Sequence, residues 1–318
     1  MIHSLIDSDI WNEELGLMED QAHFEEVWSS IEPELKQTIA AYLDKIVQGS
    51  PSLKPEASMS LYIQKLVNEH ARNRDKYVEI FEPDVMVEYQ EDVDGFKGSV
   101  LSRQCVVIQR TLNSSSEALK DWKIAYKLAA PQKLYDTFYN LIFYAEEYND
   151  KMSEEVLQGV DSIEATEFSQ LAEDACYLPG VVGTGILSTV LNTLHPRLFP
   201  GQFKMGMFSL FILSGKKPIA MKSGSSEFLM VKDDIRSKTG TIEQEHNYYY
   251  PYQTFGLYSL RIYCSLEKEI SDRFHAKFPD DFRYVLTNDF YDFICEVNKQ
   301  TIQTLLGNDD QLKFKYSI

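Results

Sequence analysis

Cysteine is sparse and dispersed: Cys105, Cys176, Cys264 and Cys295 form no CxxC pair. That spacing excludes a paired-ligand zinc ribbon and a disulfide scaffold, and fits reduced thiols packed in a core. Long apolar runs are also missing, since the richest stretch, Met205–Leu213, is too short to span a bilayer. The opening MIHSLIDSDIW has neither a cationic segment nor an apolar core. No signal peptide is therefore expected, and the chain reads as cytoplasmic with no membrane partner. Positive charge is scarce, with 31 Lys and Arg against 49 Asp and Glu and a formal net charge of −18. Such a chain repels polyanions at long range, which argues against a non-specific nucleic-acid coat and leaves room only for a local basic groove. The signatures of nucleotide hydrolysis, dinucleotide redox and α/β-hydrolase chemistry (P-loop, GxGxxG, GxSxG) are absent. The scattered histidines show no HxxxH or HExxH spacing, and Glu243, Glu245 and His246 stand too close together to converge on one ion. The residues assign no metal, no cofactor and no catalytic group.

What is present is the composition of a folded protein, 44% hydrophobic and 13% aromatic over 318 residues, enough for one large or two ordinary domains. Acidic residues crowd the start: Met1–Leu35 has no Lys or Arg but contains Asp7, Asp9, Glu13, Glu14, Glu19, Asp20, Glu25, Glu26, Glu32 and Glu34. This segment is either a solvated helix face or an arm that docks on a basic protein partner or on the chain's own cationic groove.

Apolar spacing predicts helices through Phe24, Val27, Trp28 and Ile31, restarting after Pro33 through Leu35, Ile39, Leu43 and Ile46, and again around Met59, Ile63 and Leu66. Residues 85–110 read differently. Val85, Val87 and Tyr89 alternate, Asp94-Gly95 signals a turn, and Cys105–Ile108 looks like a buried strand, so a small sheet is expected there. Ser114 and Glu117 resemble a capping box after the polar run Asn113–Ser116. The predicted organisation is an N-terminal helical region, 1–112, with an acidic arm and a small β element, followed by an all-α region, 113–318. The fold class is mainly α with a small β-hairpin or sheet. Apolar stripes at Leu134–Ala145, Phe255–Ile270 and Phe290–Leu305 make later helices, and a hairpin-like insert, Lys216–His246, carries a short strand at Phe228–Val231.

The densest pattern is Leu178–Ser214, LPGVVGTGILSTVLNTLHPRLFPGQFKMGMFSLFILS. Gly180, Gly183 and Gly185 crowd the start of a helix that His195-Pro196 must end. Glycines there permit close backbone approach, and the free N–H groups of a helix start favour an anion. This hairpin resembles the helix-hairpin-helix motif of the DNA-glycosylase superfamily. It is also similar to segments of restriction and phage-defence proteins that pair a G-x-x-S helix start, here Gly185–Ser188, with a P-x-x-F-P loop, here Pro196–Pro200. The resemblance implies a helix-hairpin-helix core, DNA or modified nucleic acid as the partner, and Gly183, Thr184 and Gly185 approaching phosphate. The chain departs from the pattern at two places: Val181-Val182 lengthens the hairpin, and Gln202 stands where the superfamily places a catalytic Asp. An amide is no general base, so glycosylase-like base excision is not expected from this segment.

The insert adds Lys216, Lys217, Lys222, Lys232, Arg236 and Lys238. Together with Lys204 they either track a phosphate backbone or simply solvate a loop. Tyr248, Tyr249 and Tyr250 either stack on bases or anchor the following helix. The expected function is a nucleic-acid-associated protein, with Gln202 or Tyr248 touching a base, and the resemblance implies a setting in phage defence. The alternatives are a non-enzymatic protein-interaction module and an enzyme acting on a modified base or nucleotide through Glu227, Asp233 or another acid the sequence leaves unplaced.

Overall fold

A computed structural model describes residues 8–116, 119–236 and 242–306. It is mainly helical, with a single small antiparallel sheet among the described residues. The first third comprises α1 (Ser8–Met18), α2 (Gln21–Gln48), α3 (Pro55–Phe81), α4 (Pro83–Glu88), α5 (Val93–Gly95) with a π-helical turn at Phe96–Leu101, and α6 (Val106–Asn113). Then come α7 (Lys120–Leu128), α8 (Pro131–Lys151), α9 (Glu154–Gln158), α10 (Thr184–Leu194) and α11 (Lys204–Leu213). Strands β1 (Leu229–Arg236) and β2 (Ile242–His246) precede α12 (Tyr252–Phe274), α13 (Arg283–Val297) and α14 (Lys299–Leu306).

Helix α2 begins where the Asp20 carboxylate accepts the His23 N–H at 2.8 Å, a side-chain N-cap. It then runs unbroken through Pro33, which sits on the exposed face. The buried stripe Val27, Ile31, Leu35, Ile39, Leu43 and Ile46 supplies the packing that carries the helix past the missing donor.

The small sheet expected at 85–110 is not there; that segment is helical. Pro83 occupies the first turn of α4, and the Asp92 carboxylate caps α5 by accepting the Gly95 N–H at 2.8 Å instead of making a hairpin turn. Val107 and Ile108 are buried while Arg110 is exposed. Packing against Tyr77, whose hydroxyl accepts the Val107 N–H at 3.1 Å, overrides the β preference of the valines. The sheet forms instead in the insert, where the expected strand Phe228–Val231 overlaps the start of β1 and Leu229 pairs with His246. Glu117 of the proposed capping box, Lys238 of the insert and the first seven residues of the acidic arm lie outside the described residues.

Two apolar clusters hold the chain. One joins α2 and the first half of α3 to α11, α12, α13 and α14. The other joins the second half of α3 to the 86–108 segment, α8 and α10. Helix α3 crosses both, so its middle turns, Leu66–Asn73, face the seam between them. No helix of the described residues is long and apolar enough to cross a membrane.

Candidate functional site

A cavity of about 380 Å³ opens at that seam, within the size range of small-molecule sites. Helix α3 gives it Glu69, His70 and Asn73, and α6 gives Arg110. The last turn of α10 contributes Asn192 and Thr193, and the start of α11 contributes Phe203, Lys204 and Gly206. Helix α13 forms the remaining wall with Asn288, Asp289, Tyr291 and Asp292.

Hydrogen bonds between distant elements hold much of the cavity wall. The C-terminal carbonyls of α10 have no intrahelical partner; His70 Nε2 meets the Thr193 carbonyl at 3.1 Å and Arg74 Nε donates to that of Leu194 at 2.8 Å. Burial holds His70 down at about 4, so at neutral pH it is an uncharged cap. Asn192 donates to the Phe199 carbonyl at 2.8 Å and accepts from Asn288 Nδ2 at 3.0 Å. Gly206 lets α11 approach its neighbours: a Cβ there would lie 2.8 Å from the Phe255 ring and 3.3 Å from that of Tyr291.

Two carboxyls of α13 line this cavity. Asp289 and Asp292 stand three residues apart, hence on one helix face. Tyr42 and Tyr62 both donate to Asp289 Oδ2, at 2.6 and 2.5 Å. Asp292 has no hydrogen-bond or ion-pair partner among the described residues. Burial, then the charges of Asp289 and Glu296, raise it to about 7. A carboxyl with this proton affinity can give or take a proton near neutrality. Among the described residues no group of His, Cys, Asp or Glu is arranged to hold a metal ion.

The residues singled out from the sequence scatter over the fold. Gly183, Thr184 and Gly185 form the N-terminal end of α10, where Gly183 takes the N-cap position and the hairpin closes through a Leu178–Val182 bridge. Gly185 is exposed, and the Gly183 carbonyl accepts the Ile186 and Leu187 amides. Lys204 lines the cavity at the other end of α10, about 16 Å away by the rise of that 11-residue helix. Lys216 and Lys217 are exposed beyond the C-terminus of α11, a helix length from Lys204. Lys222 pairs with Glu13, while Glu14 accepts the Ser223 amide at 2.6 Å, so α1 docks on the insert of its own chain. Lys232 and Arg236 fall in β1.

Gln202 is buried. Its Nε2 donates to the Tyr250 carbonyl at 2.9 Å, and its backbone N–H donates to Ser188 Oγ at 3.1 Å, which ties the P-x-x-F-P loop to α10. The tyrosine run divides. Tyr250 is an anchor whose hydroxyl donates to the buried Glu227 at 2.6 Å, and Glu227 also accepts from His23 Nε2 at 2.6 Å. Tyr248 and Tyr249 remain 42% and 49% exposed with ring centroids 4.5 Å apart. Tyr177 lies 3.6 Å from where a Gly183 Cβ would be, and the proximity of Tyr249 adds to burial in raising the Tyr177 hydroxyl. The glycine turn therefore neighbours an aromatic surface rather than the lysines.

Sequence reasoning missed Asp289 and Asp292 because α13 reads as an ordinary apolar stripe. The signal was a pair of acids inside that stripe, in LTNDFYDFI, where a solvated helix face would put its charges on the opposite side. Comparison with known proteins returns no match to a family model, a curated protein or a solved structure.

Proposed function

We propose that this chain binds a small polar molecule in the cavity between α3, α10, α11 and α13 and exchanges a proton with it through Asp292. The observation that carries this reading is an unpartnered, half-buried carboxyl, titrating near neutrality, in the wall of a 380 Å³ cavity. A polar group kept from water without a partner is costly, and a ligand that supplies one removes the cost. This reading belongs to the enzyme alternative and proposes Asp292 as its acid. A panel of small polar metabolites, read by thermal shift, tests it. Some members should raise the midpoint of the wild type and leave Asn73→Trp, which puts an indole at the cavity wall, unmoved. A panel that moves both proteins equally, or neither, defeats the reading.

A second reading keeps the nucleic-acid partner and the phage-defence setting that the resemblance implies. What supports it is the exposed Gly185 turn near Tyr177, which Tyr249 and through it Tyr248 adjoin, because first-turn amides donate to phosphate oxygens and exposed tyrosines stack on bases. On this reading Tyr248→Ala with Tyr249→Ala weakens single-stranded DNA binding at low salt more than Lys216→Glu with Lys217→Glu does. Absence of any DNA binding at low salt removes it.

A further inference from the structure

The α13 wall of the cavity constrains the ligand further, given the small-molecule reading above. Asp289 and Asp292 lie side by side on one helix face, and both acceptors are incompletely used. Two tyrosine hydroxyls occupy Oδ2 of Asp289, and its Oδ1 accepts no hydrogen bond among the described residues. Asp292 accepts none at all there. The Asn288 Oδ1 atom, on the same helix, is buried with no partner among the described residues. This wall therefore offers acceptors in excess, and donors must come from the ligand. Phe203 and Tyr291 supply flat apolar surface beside it, and Lys204 lies at the start of the neighbouring α11.

We propose that the Asp289–Asp292 wall receives a guanidine-like edge, meaning a planar group with two adjacent N–H donors, and that Tyr42 and Tyr62 position Asp289 for it. Asp292, with neither oxygen accepting a hydrogen bond among the described residues, can take such an edge fork-to-fork, which suits planar donors better than a point-charge ammonium, while the remaining Oδ1 of Asp289 can accept one further N–H. The same edge occurs on an alkyl guanidine and on guanine, whose N1–H and N2–H₂ are adjacent. Tyr42 from α2 and Tyr62 from α3 grip one carboxylate oxygen from two elements, which fixes the direction of the other.

The test is calorimetric titration of the full chain with agmatine and, separately, with guanosine 5′-monophosphate, using adenosine 5′-monophosphate as the control that lacks paired donors. At least one of the two probes should bind, and the one that does identifies the source of the edge. Asp289→Asn and Asp292→Asn should each weaken it about tenfold or more, Tyr62→Phe by about threefold, and Asp292→Glu should restore part of the loss. Circular dichroism identifies any variant that has lost its fold, and the remaining ones then decide. Failure of both probes, equal affinity for the adenine control, or folded Asp variants that bind like wild type would overturn the proposal. Ligands that Asn73→Trp excludes but the Asp variants still bind would end this inference while leaving the small-molecule reading intact.

Discussion

The two ends of helix α10 make opposite demands on the sequence. At its N-terminus, Gly183–Gly185 and the Leu178–Val182 bridge come from one contiguous segment, and the motif is visible in the primary structure. At its C-terminus, Asn192 and Thr193 border a cavity whose other walls come from α3 and α6 far earlier in the chain, α13 far later, and the start of α11 just beyond the P-x-x-F-P loop. The first end has a recognisable pattern but no converging charge, because Lys204, Lys216 and Lys222 go to three different places. The second end has no pattern in sequence, yet it gathers carboxyls, amides and cations around one space. A local motif fixes backbone shape cheaply; a polar pocket needs several elements to exclude water together.

The contrast is sharpest in what each end costs to disturb. Asn192→Leu strands the Phe199 carbonyl and the Asn288 amide, and should lower unfolding free energy by roughly 2–4 kcal/mol in urea. A loss below half a kilocalorie would mean the cavity end is not rigidly built.

Asp292→Asn probes the same end through pH. Folding raises this carboxyl from 3.8 to about 7, so the folded state holds the proton more tightly than the unfolded chain. Its contribution is fully present below pH 3.8 and is lost as pH rises through about 7. Removing the titration should flatten that decline and leave Asp292→Asn more stable than wild type at pH 8, by roughly 1–2 kcal/mol after allowing for partial exposure. Parallel pH–stability curves for the two proteins would contradict the assigned environment.

The glycine end should barely respond. Gly185 is exposed, and a Cβ there meets nothing within 4 Å. Gly185→Ala should therefore be neutral or stabilising by about 0.5 kcal/mol. If it nonetheless abolishes DNA binding, the turn's backbone serves a ligand rather than the fold.

Much of the helical architecture was legible, since 3.6-residue apolar spacing places α2, α3, α8, α10, α12 and α13 in register with their buried faces. The end of α10 at Leu194 follows from Pro196. The segment 85–110 was misread because alternation over three valine and tyrosine positions is too short to separate strand from helix, and contacts with Tyr77 and Tyr135 decide it. The site was legible only at Lys204, a single residue of its walls. Tyr42 and Asp289 are 247 positions apart, so no local window could have paired them.

By itself the sequence determined where most of the long helices lie, which of their faces are apolar, and that the segment before Ile186 turns on glycine. These are properties of neighbouring residues, set by backbone sterics and by side-chain spacing over one or two turns. Only the tertiary structure decided that α3 lies across two apolar cores, that α1 docks on the insert of its own chain, and that two acids of α13 face a cavity. Those outcomes depend on which surfaces meet, and the energy of excluding water from a surface is not defined until its partner is in place.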